Sequence, residues 1–242
     1  MMIVGIVPAR FASVRFPGKP LALLGGKAML LHVVEACQAA RRLSRVAVAT
    51  DDERIAAAVR AAGWEAILTS TRAASGTDRL AEAALSLPAD VYVNIQGDEP
   101  MMSPQNIDRA VEALLAGDER RIATLAVSLP AAEAPDPNVV KAAVAKDGRA
   151  LYFSRAPIPF PRRGVPAYLK HLGLYAYRAN TLAELAALPP SPLEETESLE
   201  QLRWLEAGYD IWVAEAFSDS IGVDTPEDLA RVEDFLRKEA VS

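Results

Sequence analysis

Short apolar runs alternating with helical stretches fill the first half of this chain and restrict it to one fold class. Ile3–Pro8, Arg45–Thr50, Glu65–Leu68 and Asp90–Gln96 read as strands. Between the first two, Ala28–Arg42 carries apolar residues at Leu30, Leu31, Val34 and Cys37, the spacing of one helix face. Glu53–Ala62 reads as a second helix, capped by Asp51 and closed by Gly63, and Gly76–Ser86 as a third. Pro104–Gly117 has proline at its start and glycine at its end, as a helix does. Strands joined by helices of this length imply right-handed crossovers and a largely parallel sheet.

The second half changes character. Val139–Ala145 and Arg149–Phe153 flank Lys146-Asp147-Gly148, a hairpin turn. A proline-rich stretch follows from Pro157 to Pro166, then a strand at Tyr168–Tyr177. Two helices, Thr181–Ala187 and Leu193–Ala207, precede a strand at Asp210–Glu215. Thr225 caps a last helix, Pro226–Lys238. The expected fold is α/β: a mixed, mostly parallel sheet flanked by helices, to which the second half adds antiparallel strands as a small lobe. No composition shift marks a linker and no segment repeats. Residues 1–242 therefore read as one domain with a lobe inserted at about 130–175.

Composition excludes several function classes. Hydrophobic residues make up 51% of the chain, enough for a sizeable core. No apolar run approaches the roughly 20 residues of a membrane span, and the start of the sequence lacks the pattern of a signal peptide. The single cysteine, Cys37, allows no internal disulfide and suits a reducing cytoplasm; it is assigned to the core of the first helix. A formal net charge of -6 argues against a nucleic-acid partner, which calls for a broad basic face.

Against that acidic background the segment PARFASVRFPGKP, Pro8 to Pro20, is cationic. It holds Arg10, Arg15 and Lys19, and the first acidic residue of the chain is Glu35. The segment follows the first strand directly, at the carboxyl end where open α/β sheets bind ligands. Three cations and the backbone N–H groups around Gly18 suit an array of phosphate oxygens. Asp98, in QGDEP after the strand VYVNIQ, is a carboxylate at a strand's carboxyl end, with Gly97 allowing a sharp turn. Asp224, in GVDTPEDL, is its natural companion. Two carboxylates suffice for Mg²⁺, which completes its shell with water and phosphate oxygens. Either aspartate could instead be a turn or cap residue, and Gly76-Thr77-Asp78 could be no more than a helix start.

PARFASVRFPGKPL, ASGTDRLAEA, VNIQGDEPM, LYFSRAPIPF, HLGLYAY, SPLEETESLEQLR and GVDTPEDL occur in that order. Together they resemble the motifs of the 3-deoxy-manno-octulosonate (Kdo) cytidylyltransferase family, from about Ile3 to Leu229. The resemblance implies a nucleotide-diphospho-sugar-transferase-like fold. It also implies a reaction in which the anomeric hydroxyl of Kdo attacks the α-phosphate of CTP, giving CMP-Kdo for lipopolysaccharide biosynthesis and pyrophosphate, with Mg²⁺ required. By resemblance, Ala9, Arg10, Arg15 and Lys19 hold the triphosphate, with Lys19 nearest the α-phosphate and acting with Arg10 in catalysis. Ser75, Gly76 and Arg79 face the nucleoside, and Asp98 and Asp224 bind Mg²⁺. Gln96, Arg155, His171, Tyr175, Glu200 and Gln201 surround the sugar, with a second arginine, Arg162 or Arg163, at its carboxylate. The other histidine, His32, is structural. The family further implies a homodimer. Two other readings stay open: the same fold acting on a sialic acid, an amino-substituted Kdo or a sugar phosphate, and a nucleotide-binding protein without turnover.

Overall fold

The computed structural model describes residues 1–12, 15–73, 75–164 and 166–239. Ser13 and Val14 of the basic segment, Ala74 before the third helix and Val165 of the proline-rich stretch lie outside the described residues. The chain clusters into two compact units. The first runs from Met1 to Asp108 and resumes at Ser220; the second is Arg109–Asp219.

The first unit is built on β1 (Ile3–Ala9), an almost uninterrupted apolar run. Such runs belong to strands buried on both faces. A short 3-10 turn, Lys19–Leu21, follows the basic segment. Next comes a small hairpin, β2 (Leu23–Leu24) and β3 (Lys27–Ala28), that the sequence reading does not include. Its two turn residues, Gly25 and Gly26, have φ of 59° and 83°, as a primed hairpin turn requires. The unit continues through α1 (Met29–Ala39), β4 (Arg45–Thr50), α2 (Glu53–Ala61), β5 (Glu65–Leu68), α3 (Gly76–Ala84) and β6 (Val91–Asn94). α4 (Pro104–Leu115) contains the sequence boundary between the units.

The pairs among β1, β4, β5 and β6 are all parallel. β1 pairs β4 from Val4↔Arg45 and β6 from Ile3↔Val91, and β4 pairs β5 from Ala47↔Glu65, giving the order β6-β1-β4-β5. The helices pack on it as crossovers should: α1 on β1 and β4, α2 on β4 and β5, α3 on β1, β4 and β6. Cys37 is wholly buried on α1, and burial pushes its thiol up to about 12, so it is core and not a nucleophile. One expectation is corrected. The cap of α2 is Asp52, which accepts from the Arg54 N–H at 2.9 Å, and not Asp51. Adjacent aspartates can both cap, and here Asp51 is drawn to a buried arginine instead.

The second unit contains β7 (Ile122–Leu129), β8 (Lys141–Val144), β9 (Ala150–Ser154), β10 (Tyr168–Arg178), α5 (Ala179–Ala186), α6 (Pro192–Glu197), α7 (Gln201–Glu206) and β11 (Ile211–Glu215). β7 is absent from the sequence reading, yet it pairs antiparallel with β10 and parallel with β11. The expected hairpin joins β8 to β9 through Gly148, whose φ of 94° only glycine adopts freely. The single helix expected over Leu193–Ala207 is two. Ser198 takes φ 52°, a left-handed conformation, and breaks α6 from α7. Phe153, Tyr175, Tyr177 and Trp204 are buried here, and Trp204 meets both tyrosines edge-on.

The chain returns to the first unit with α8 (Pro226–Glu239). Val232, Leu229 and Leu236 pack with Leu24, Met29, Phe16 and Val223. Thr225 and Asp228 form the reciprocal cap at its start: Asp228 N–H donates to Thr225 Oγ1 at 3.2 Å, and Thr225 N–H to Asp228 Oδ2 at 3.0 Å. That arrangement leaves the Asp224 carboxylate available for other partners. Architecture and motif agree with the α/β expectation, a helix-flanked parallel sheet with an antiparallel lobe.

Candidate active site

The carboxyl ends of β1 and β6, the start of α3 and the residue before the α8 cap surround one cavity of about 400 Å³ in the first unit. Ala9, Arg10, Arg15, Lys19, Ser75, Gly76, Arg79, Gln96, Asp98 and Asp224 all line it. The sequence therefore names nine nucleotide and metal residues that the fold brings together, and Gln96 joins them.

Local structure explains how. Gly18 is in the left-handed region at φ 72°, and its N–H donates to Phe11 O at 3.1 Å, closing the basic segment into a loop. Phe11 fills the space beside Gly18, where an added Cβ would meet the ring at 3.1 Å, and the Arg54 guanidinium covers the ring at 3.4 Å. Gly97 lies in the expected turn, where Glu99 N–H donates to Gln96 O at 3.2 Å, and the fold requires glycine there for a further reason. An added Cβ would sit 2.8 Å from the backbone oxygen of Pro8, so glycine lets the β6 loop close onto β1.

Lys19 is the electrostatic centre. Its side chain is nearly buried, and Nζ donates to Asp98 Oδ2 at 2.7 Å, to Val223 O at 2.8 Å and to Asp224 Oδ1 at 3.3 Å. These three acceptors match the three donors of an ammonium. Arg15 Nη2 reaches the same Asp224 oxygen at 3.1 Å. The backbone adds a tie, Val223 N–H to Asp98 O at 2.8 Å. Two carboxylates separated by 126 residues in sequence are thus drawn to one cation, whereas an isolated pair would repel.

That donor set fits a divalent metal. Among the described residues no group of three or more His, Cys, Asp or Glu side chains forms a cage. A cation at Asp98 and Asp224 would complete its shell with water and phosphate oxygens, as Mg²⁺ commonly does.

On α3, Ser75 is firmly a cap. Its hydroxyl accepts from Asp78 N–H at 3.0 Å while Asp78 accepts from Ser75 N–H at 3.0 Å. Arg79 is 3% exposed and donates to Asp51 Oδ2 at 2.9 Å and Thr69 Oγ1 at 2.6 Å. Asp51 and Thr69 are therefore supports of the site that the sequence reading leaves out. The signal for Asp51 is its adjacency to a second aspartate that already serves as cap.

The remaining sugar candidates lie in the second unit. Arg155 is braced: Nε donates to Glu197 O at 2.8 Å, Nη1 to Pro137 O at 2.9 Å and Nη2 to Ser198 O at 3.3 Å. Two of its five guanidinium N–H groups have no partner among the described residues. Glu197 also takes the Ser154 hydroxyl at 2.6 Å and the Arg155 N–H at 2.9 Å. His171 and Tyr175 are buried on β10 with ring centroids 5.3 Å apart. Burial pushes the His171 imidazole down to about 3, so it is neutral at physiological pH. Burial, with Tyr177 and Glu200 nearby, raises the Tyr175 phenol well above its ordinary value. Gln201 is buried at the start of α7, beside half-buried Glu200. Arg162 and Arg163 are exposed. His32, the other histidine, lies 2.9 Å from Leu24 O through Nε2, a structural contact.

Comparison with known proteins identifies the family. A family described as Cytidylyltransferase matches residues 4–211. The chain is 54% identical over 250 residues to a 3-deoxy-manno-octulosonate cytidylyltransferase of Syntrophobacter fumaroxidans, covering 100% of this chain and 99% of the relative. It is 52% identical over 235 residues to the protein of that name from Anaeromyxobacter dehalogenans, covering 96% of each. Among solved structures, a CMP:2-keto-3-deoxy-manno-octonic acid synthetase complexed with CTP superposes with a TM-score of 0.95 at 43% identity, covering 99% of this chain and 100% of that one.

Proposed function

This chain belongs to the 3-deoxy-manno-octulosonate cytidylyltransferase family, and from that premise we propose how its residues turn CTP and Kdo into CMP-Kdo and pyrophosphate. The anomeric oxygen of the sugar bonds to the α-phosphorus of CTP, the bond from that phosphorus to the bridging oxygen breaks, and pyrophosphate leaves. The hydroxyl proton is released to solvent. Such a displacement needs in-line placement and charge neutralisation more than covalent help from the protein.

The observation that carries the reading is the convergence of Lys19, Asp98 and Asp224 beside Arg10 and Arg15 in one cavity. Arg10 and Arg15 neutralise the triphosphate. Lys19 approaches the α-phosphate, where charge develops. Ala9, Ser75, Gly76 and Arg79 hold the nucleoside, with Arg79 kept in place by Asp51 and Thr69. Asp98 and Asp224 would hold Mg²⁺, which when bound supplies charge compensation at the phosphates and lowers the cost of ionising a hydroxyl. Gln96, Arg155, His171, Tyr175, Glu200 and Gln201 recognise the sugar acid, with Arg162 or Arg163 as the second arginine. The activated sugar serves lipopolysaccharide assembly in the cytoplasm. The active form is a homodimer, supported by exposed apolar residues such as Leu151 and Phe160 in the second unit.

The test is pyrophosphate release by purified protein. It is expected only when CTP, Kdo and Mg²⁺ are all supplied. Release at the no-sugar rate would overturn the reading, and faster kcat/KM with a sialic acid or amino-Kdo would reassign the acceptor.

A further inference from the structure

β10 pairs regularly with β7 up to Leu172↔Leu125 and resumes at Tyr175↔Thr124. The interruption is a bulge, a device that re-aims side chains and carbonyls. Here it turns two backbone oxygens toward one hydroxyl. Thr124 Oγ1 lies 2.7 Å from Leu174 O and 3.2 Å from Leu172 O. The same oxygen lies 3.0 Å from His171 Nε2.

A hydroxyl carries one proton. Both carbonyls are acceptors only, and Thr124 is fully buried, so its proton goes to Leu174 O at the shorter distance. The oxygen then has only lone pairs to offer His171, and the contact is a hydrogen bond only if Nε2 bears the proton. The opposite choice would spend the hydroxyl proton on the ring and leave carbonyl oxygens facing an oxygen lone pair. Because the imidazole stays neutral, a proton on Nε2 leaves none on Nδ1. Among the described residues Nδ1 has no hydrogen-bond partner, and His171 keeps 9% of its surface exposed. Phe153 packs on the ring at 4.8 Å and Tyr175 at 5.3 Å, restricting its rotation.

We infer that Thr124 is a positioning residue that fixes His171 as its Nε2–H tautomer, so that Nδ1 accepts a hydrogen bond from a hydroxyl of the sugar acid. The assignment rests on the proposed sugar role of His171. It has a consequence for specificity. A bare lone pair repels a carboxylate, so His171 reads the polyhydroxy part of the substrate and leaves the acid group to arginine.

The experiment uses the full-length enzyme labelled with ¹⁵N-histidine. The two ring systems are assigned with His32→Gln. In the wild type, His171 Nδ1 is expected in the unprotonated range and Nε2 in the protonated range. Thr124→Val is expected to mix the tautomers and raise the KM for Kdo about 10-fold, the usual effect of losing one hydrogen bond, with kcat and the KM for CTP within about 2-fold. Thr124→Ser keeps the hydroxyl and is expected to restore both readouts. A wild-type proton on Nδ1, an unchanged KM for Kdo in Thr124→Val, or a Thr124→Ser enzyme that behaves like Thr124→Val would each overturn the inference. If the valine protein does not fold, the wild-type ring spectrum and the serine variant decide. Absence of turnover with every sugar acid would sink the proposed function, while the ring spectrum would still judge the Thr124 assignment alone.

Discussion

At the scale of single residues, the fold spends its electrostatics on one lysine. Lys19 holds two aspartates and a carbonyl, so removing either carboxylate charge also weakens the hold on the lysine. Asp98→Asn and Asp224→Asn are expected to lower kcat on the order of 100-fold while leaving far-UV circular dichroism intact. A wild-type rate in either variant would remove that aspartate, and with it the paired metal site, from the chemistry. His171 makes a separate prediction about acid. Its folded-state value, about 3, lies below the ordinary 6.5. Above pH 6.5 neither state is charged, but between 6.5 and 3 the unfolded chain takes up a proton that the folded chain refuses. Stability therefore falls as pH drops, by up to about 1.4 kcal/mol per unit. Urea unfolding at pH 7.0 and 5.5 is expected to show the wild type losing about 1 kcal/mol more than His171→Gln. Equal losses would mean that the folded imidazole takes up its proton over the same range as the unfolded one.

At the scale of elements, the meeting of β1 with the loop after β6 depends on a missing side chain. Gly97→Ala would press a methyl against the Pro8 carbonyl. The expected cost is about 1–3 kcal/mol in denaturant titration, together with a fall in kcat, because Gln96 and Asp98 flank the displaced residue. Full activity in the alanine variant would show that the loop has room to shift. This contact also marks where sequence stops being informative. The glycine was legible, but its neighbour across the sheet was not. β1, β4 and β6 were readable because strands buried on both faces leave nearly unbroken apolar runs, and the half-buried edge strand β5 because a short apolar piece follows Gly63. β7 was not, because IATLAVSL is rich in alanine and carries threonine and serine, so its pattern is ambiguous between helix and strand. The break between α6 and α7 left no glycine or proline to announce it, since Ser198 itself takes the left-handed conformation. The site was legible as motifs, its cations in the segment after β1 and its carboxylates in the loop after β6 and just before α8. Thr124, Asp51 and Glu197 were not, because each acts through a partner that only the fold supplies.

At the scale of the whole molecule, ligand binding and folding are linked. A ligand that binds only the folded state stabilises it by about 2.7 kcal/mol when present at 100 times its Kd. Saturating CTP with Mg²⁺ is therefore expected to raise the Tm by several degrees in a thermal melt, and an unshifted Tm would count against the cavity as a nucleotide site. Sedimentation at micromolar concentration is expected to give twice the 26.0 kDa chain mass, and a single species of 26.0 kDa would overturn the dimer. The first unit is discontinuous in sequence, with Arg109–Asp219 lying between Asp98 and Asp224. A nascent chain emerging from the ribosome must therefore deliver the entire second unit before the first can receive its last carboxylate. Until then Leu24 and Met29 lack Val223 and Val232, the residues that complete their cluster in the finished fold.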